Sequence, residues 1–197
     1  MEMTVVLFIL ILLLLGVVEF GNLMNQYINL VDGVREGARF GSNNDPFEDP
    51  VTGQVDYSVV QTSFYEAIDQ VIEGFGTEEA AGSISPIVLD ETRDEILISF
   101  LSTQDGDILE TYGPWCKYCN GQTSRLITDP TFIESSLNPN APDTGILIVE
   151  IFYGYEQLLN MPIFTQFIPN PIEVHAYSIM PLSAAEPTPC IGVGCEP

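Results

Sequence analysis

The chain has 197 residues, enough for one domain of ordinary size plus a separate element but not for two large domains. Lys and Arg number 5 against 28 Asp and Glu, and the resulting net charge of -23 excludes a plain electrostatic grip on nucleic acid or anionic lipid, both of which need clustered cations. A hydrophobic content of 46 % and a mean hydropathy of +0.21 exclude a disordered acidic tail.

Met3 to Val18 reads MTVVLFILILLLLGVV, an apolar run without a charge and without a polar stripe. A helix that is apolar on every side must be buried all round, in lipid or in a bundle of equivalent helices. At about 1.5 Å per residue the run covers about 24 Å, a little less than the bilayer core. Glu2 precedes it and Glu19 closes it. Helical periodicity continues beyond, with Phe20, Leu23, Met24, Tyr27, Leu30, Val31, Val34 and Ala38 on one face. Gly41 and Ser42, followed by Asn-Asn-Asp-Pro, form a stop signal. These spacings predict one helix of about 40 residues, about 60 Å long, with an apolar half and an amphipathic half. A cleaved secretory signal would begin with basic residues, and none precedes this run. A one-span membrane anchor has the same hydropathy, but the nearest cations, Arg35 and Arg39, stand at the far end of the helix.

The segment from Glu2 to Gly41 resembles the TadE-like family of the tight-adherence pilus system, within the wider type IV pilin group. The residues that carry the resemblance are Glu2 at the head of the apolar run, then Gly16-Val17-Val18-Glu19-Phe20-Gly21, then Val34-Arg35-Glu36-Gly37-Ala38-Arg39-Phe40-Gly41, both blocks at the family's separation. Members often carry a proline inside the run. Phe8 stands there instead, so a less kinked helix is expected. A precursor in this family also carries a basic leader, with a processing glycine ahead of the glutamate.

The resemblance implies that Glu2 meets the free α-amino group of its own or a neighbouring subunit and so sets axial register. An acid at the tip of an apolar helix is costly to bury without such a partner. A solvated carboxylate at the membrane surface, favoured by the helix N-terminus, is the plainer reading. Glu19 would sit deep in a bundle and could meet Arg35 or Arg39 of another copy; otherwise it marks a local polar boundary. Arg35 and Arg39, which share a face beside Glu36, could take up carboxylates of neighbouring subunits; otherwise Arg35, Glu36 and Arg39 form a solvated helix end. Leu7, Phe8, Leu12, Leu15, Phe20 and Met24 are the residues expected at the core of a filament.

Residues 42 to 56 read as an acidic loop. Asp56 can cap a second helix over Tyr57 to Phe75, whose Val59, Val60, Phe64, Ala67, Ile68, Val71 and Ile72 recur at helical spacing. Ile84 to Leu89 and Glu95 to Leu101, joined by the turn Asp90–Asp94, predict a hairpin. Gly145 to Tyr155 and Ile172 to Met180 alternate as strands, and Ser102 to Pro142 reads as an irregular insertion with a helical turn near Thr131 to Leu137. Three to five mostly antiparallel strands covered by a helix give an α+β head over 42–182, between the helix of 1–41 and a proline-rich tail over 183–197. The apolar residues of the Leu158 to Pro171 connection either dock on neighbouring subunits or cover their own sheet.

Cys116 with Cys119 and Cys190 with Cys195 form two close pairs, which suit disulfides in an oxidising compartment. Pairing across the two sets, or one zinc site on all four, stays open at this point. Trp115-Cys116-Lys117-Tyr118-Cys119 resembles a thioredoxin redox site, but no helix is predicted after it. Asp45, Glu48 and Asp49, and again Asp105, Asp107 and Glu110, are candidate calcium ligands without EF-hand spacing. The lone His175 lies in a strand and is expected to be structural. With no nucleophile elbow, Walker loop or dinucleotide fingerprint, no catalytic activity and no cofactor are expected.

These observations converge on a structural subunit of an extracellular pilus-like filament, with a membrane-embedded pool before assembly. The partners implied are copies of itself in a helical homopolymer, a prepilin-type peptidase, an assembly ATPase and an inner-membrane platform protein. A minor TadE-like pseudopilin that primes assembly, or a membrane-anchored thiol protein using Cys116 and Cys119, are the alternatives.

Overall fold

A computed structural model describes residues 2–56, 59–74, 88–129, 131–135, 137, 143–159 and 168–185. Helix α1 runs from Glu2 to Ser42 without interruption, as expected of a stretch with no proline. Its two halves differ in surroundings. Side chains from Val6 to Val18 are mostly exposed, whereas Leu30, Val34 and Ala38 are buried in the core of the head. The helix ends at Ser42, within the predicted stop signal. Its last carbonyls are closed by side chains: Ser42 Oγ and Asn43 Nδ2 donate to the Arg39 carbonyl at 2.9 and 2.7 Å, and Asn44 Nδ2 donates to that of Phe40 at 2.7 Å. Gly41 has another reason to be small, since a Cβ there would stand 2.6 Å from both Ile68 and Leu147.

Helix α2 spans Thr62–Gly74, starting later than predicted. Asp56 does not cap it; its N–H donates to the Phe47 carbonyl and its own carbonyl accepts from Val59, closing a turn ahead of the helix. Phe64, Tyr65, Ile68 and Ile72 are buried between α1 and the sheet. Phe64 meets Phe100 edge-on at 6.2 Å, and Tyr65 stacks on Trp115 at 5.5 Å.

The head is α+β. Strands β1 (Glu95–Gln104), β2 (Asp107–Lys117), β3 (Thr144–Tyr155) and β4 (Ile172–Leu182) form one antiparallel sheet in the order β2-β1-β3-β4. The predicted irregular stretch after Ser102 is therefore corrected, because it contains the edge strand β2. Gln104 pairs with Asp107, leaving Asp105 and Gly106, at φ 52° and 88°, as the two-residue turn. This is an Asp-Gly hairpin of the kind whose positive φ values match strand twist. The polar outer residues of β2 and its Pro114 disguise it as a loop, and Pro114 is tolerated because the strand is an edge. The predicted strand over Ile84 to Leu89 is not found where it can be checked: 88–90 are not extended pairs, and 84–87 lie outside the described residues. The Asp90–Asp94 turn is present, held by Asp94 N–H to the Asp90 carbonyl at 2.8 Å.

Both faces of the sheet are covered. Ile96, Ile98, Phe100, Leu147, Val149, Ile151 and Ala176 face α1 and α2. On the reverse, Leu101, Ile146 and Ile148 form a smaller cluster with Leu126 of α3 (Arg125–Thr128) and Ile133 of α4 (Thr131–Glu134). This is why β1 and β3 are buried along almost their whole length. Ser183–Ala185 form a 3-10 turn whose Ala185 closes the core beside Gly145.

Candidate functional site

Strand β3 runs antiparallel alongside α1, so the end of the strand at Tyr155 reaches Glu19 and Asn22 while Leu147 reaches Gly41. The Glu19 carboxylate accepts three hydrogen bonds from its own head: from Tyr155 Oη–H at 2.8 Å, and from the N–H groups of Leu158 and Leu159, both at 2.9 Å. Asn22 Nδ2 donates to Tyr155 Oη at 2.8 Å, which fixes the phenol. The two ends of the β3–β4 connection are tied together as well. Gln157 N–H donates to Asn170 Oδ1 at 3.1 Å, and its Nε2 to the Pro169 carbonyl at 3.2 Å. Glu19 is thus the fastening point between the apolar half of α1 and the head.

The cations of α1 meet carboxylates of the same helix. Arg39 makes a two-point contact with Glu36, Nη2 to Oε1 at 2.8 Å and Nε to Oε2 at 3.1 Å, and Arg35 stands 3.6 Å from Asp32. The carboxylate of Glu36 lifts the Arg39 pKa above its ordinary value. Exposed pairs of this kind contribute little and exchange readily for other partners. Leu7, Phe8, Phe20 and Met24 are exposed, and Leu12 and Leu15 are half-buried. Glu2 opens the helix, and its side chain lies outside the described residues.

Cys116, near the end of β2, and Cys119, in the turn just beyond it, form a disulfide with Cα atoms 5.2 Å apart. Tyr118 and Cys119 adopt φ of 64° and 23°. Between the two cysteines, Lys117 Nζ reaches Asp69 Oδ2 at 2.5 Å and Glu73 Oε1 at 2.8 Å on α2. Burial works against the Lys117 charge, but these two acids outweigh it and hold the ammonium pKa above its usual value. Asn120 Nδ2 donates to the carbonyls of Glu91 and Asp94 at 3.1 and 2.8 Å. The turn therefore staples β2 to α2 and to the turn before β1. No helix starts after Cys116 to stabilise a thiolate; α3 begins at Arg125. Cys190 and Cys195 lie outside the described residues.

The carboxylates of Asp45, Asp49 and Glu110 are engaged within the protein. Asp49 Oδ1 accepts from the N–H groups of Val51 and Thr52, which lowers its pKa, and Asp45 Oδ1 accepts from Phe47 N–H. Asp105 N–H donates to Asp143, and Glu110 accepts from Tyr112 Oη–H at 2.6 Å. Asp105 lies in the hairpin turn and Asp107 opens β2 just after it. Among the described residues, no three His, Cys, Asp or Glu side chains converge as a metal site.

His175 lies on the reverse face of the sheet, stacked on Phe152 at 4.6 Å, with Nε2 3.0 Å from Glu150 Oε1. The buried Glu150 also accepts from Ser124 Oγ–H and, at 3.1 Å, from Arg125 N–H. The carboxylate thus stands between serine and imidazole, so the imidazole has no serine proton to take. Ser124 caps α3 through Ile127 N–H. Sequence reasoning missed Glu150 and Ser124 here, and Tyr155 and Asn22 at Glu19. The one available signal was the alternation that puts Glu150 on the His175 side of the sheet.

Residues 1–39 match the model of the TadE-like protein family. The match covers α1 nearly to its end and none of the strands. No curated protein and no solved structure matches the chain. The matched residues include Glu2, the Gly16–Gly21 block and most of the Val34–Gly41 block, the residues that carry the resemblance to the TadE-like family.

Proposed function

We propose that the protein is a structural subunit of a Tad-type pilus filament, held in the membrane by α1 before assembly and joined to copies of itself through α1 afterwards. One observation carries this reading: the segment that matches the TadE-like family is also the segment whose apolar half the head leaves uncovered. Side chains such as Leu7, Leu10 and Leu14 each contribute about 1.5–3 kcal/mol when removed from water, so this surface requires a lipid or helical neighbour.

The mechanism is assembly without turnover. In lipid, apolar contacts between helices gain little over contacts with acyl chains, so packing and polar pairing must favour the fibre. Glu2 supplies a pairing group at the helix tip, and Arg35 and Arg39 supply exposed cations that can leave Asp32 and Glu36 for a neighbour. An assembly ATPase, a platform protein and a prepilin-type peptidase are the partners this route requires. The finished fibre stands outside the cell with the acidic heads as its surface.

The test is imaging of purified surface appendages from cells expressing the full chain, with mass spectrometry of the subunit N-terminus. The chain is expected as the repeating fibre component. Its permanent absence from every fibre, with all of it recovered from membranes, overturns the proposal.

A further inference from the structure

We infer that the two ends of the β3–β4 connection, at Leu158 and at Ile168, are a second membrane contact: while α1 is in the bilayer, both side chains rest against its interfacial zone. The inference depends on the membrane-held stage proposed above. It starts from a mismatch. The apolar run from Met3 to Val18 covers about 24 Å, whereas a hydrocarbon core is about 30 Å thick. A span that is too short draws its flanking residues toward the hydrocarbon or thins the bilayer. Glu19 is the first flanking residue, so the level of Glu19 is drawn to the interface.

Whatever is fastened to Glu19 goes with it. The fastened parts are the N–H groups of Leu158 and Leu159 and the hydroxyl of Tyr155. These three donors satisfy the carboxylate where water is scarce, which lowers the cost of placing an acid there. The connection also has the composition of an interfacial element. After Glu156, whose carboxylate pairs with Arg93, the connection contains no charged side chain up to Glu173, in a chain with 33 of them. Leu158 is 63 % and Ile168 43 % exposed, and they continue the apolar surface of α1 at Val17 and Phe20, 72 % and 63 % exposed. A recess of about 150 Å3 between Gly16, Phe20 and Leu23 on one side and Ile168 and Ile172 on the other opens at the same level, and an acyl chain is its occupant in the membrane.

The experiment uses the full chain in phosphatidylcholine vesicles brominated high on the acyl chains, with tryptophan as the probe. Trp115 pairs with Ile98, which pairs with Val149, six residues along β3 from Tyr155. The native tryptophan therefore lies about 20 Å from the boundary and serves as the unquenched baseline. Leu158→Trp and Ile168→Trp place new probes on the connection, and Leu13→Trp places one in the span. Expected is a loss of fluorescence from both connection probes and from Leu13→Trp, relative to unbrominated vesicles, with Trp115 unaffected. If Leu13→Trp is quenched and the connection probes behave as Trp115, the inference is overturned and the membrane stage stands. If Leu13→Trp also escapes quenching, the membrane stage fails and the inference fails with it. If the connection probes escape the bromine but shift to the blue as protein per vesicle rises, the cover is a second copy, which overturns a lipid contact.

Discussion

At Glu19 one side chain decides how the helix and the head are joined. Hydrogen bonds to a charged acceptor contribute about 1.5–3 kcal/mol each, more than neutral ones. Glu19→Gln and Tyr155→Phe are each expected to lower the stability of the head by about 1–2 kcal/mol in urea unfolding, and the double variant by less than the sum. Strict additivity would show that the 2.8 Å contact contributes no coupling. None of this was legible in the chain, where Glu19 and Tyr155 are 136 residues apart and a glutamate after an apolar run reads equally as boundary or as intersubunit partner. The Glu150–His175 contact was half legible, since strand alternation gave the shared face but not the register between β3 and β4. Tyr65 yields a prediction of its own. Burial pushes its phenol up to about 12 from an ordinary 10. Above pH 10 the unfolded chain therefore loses this proton before the folded one does. The stability this tyrosine protects is present below pH 10 and falls by about 3 kcal/mol at most as pH rises to 12, at 1.36 kcal/mol per unit. Lys117, held charged by Asp69 and Glu73, acts in the same direction as the solution becomes alkaline. In a pH series of thermal midpoints, Tyr65→Phe is expected to flatten the alkaline limb without abolishing it.

Among the elements, α1 was the most legible, because its period, its length and its freedom from proline all agree. What the sequence obscured was why its glycines are there. Gly37 faces α2 so closely that a Cβ would stand 2.5 Å from Ile72 Cγ1, whereas nothing lies within 4 Å of one at Gly21. Gly37→Ala is therefore expected to cost about 1–3 kcal/mol through overpacking. Gly21→Ala is expected to be neutral, or to gain up to about 1 kcal/mol from helix propensity. Urea midpoints of the two variants in detergent check the contrast, and equal effects would show that the α1–α2 contact is not tight. The strands were legible in proportion to their burial. β3 and β4 announced themselves by alternation. β2, polar along its outer face and interrupted by Gly113-Pro114, was hidden, although Asp105-Gly106 gave a turn signal that was instead read as part of an acidic cluster. Of the cover on the reverse face, α4 was legible as the helical turn near Thr131 to Leu137, whereas α3, with four residues, was too short to show a period.

For the whole molecule, charge sets the terms of assembly. Residues 1–41 hold four acids and two arginines, so nearly all of the net -23 lies on the head. Bringing heads side by side around a helical core concentrates that charge, and the repulsion opposes the packing of α1. At 0.1 M salt, charges interact over about 10 Å, and at 0.01 M over about 30 Å. Self-association of the purified full chain, followed by sedimentation after detergent removal, is therefore expected to increase steadily from low to high NaCl. It is expected to increase again as pH falls toward the sequence pI of about 4.1, where the heads lose their charge. Apolar contacts alone would show only the weak salt response of buried surface, and a flat profile would place the heads too far apart to sense one another. Calcium separates screening from bridging. The carboxylates of Asp45, Asp49 and Glu110 already accept hydrogen bonds from their own neighbours. CaCl2 and NaCl at matched ionic strength are therefore expected to act alike, whereas association driven by micromolar calcium at low salt would mean that carboxylates of different heads share ions and that screening is not the controlling force.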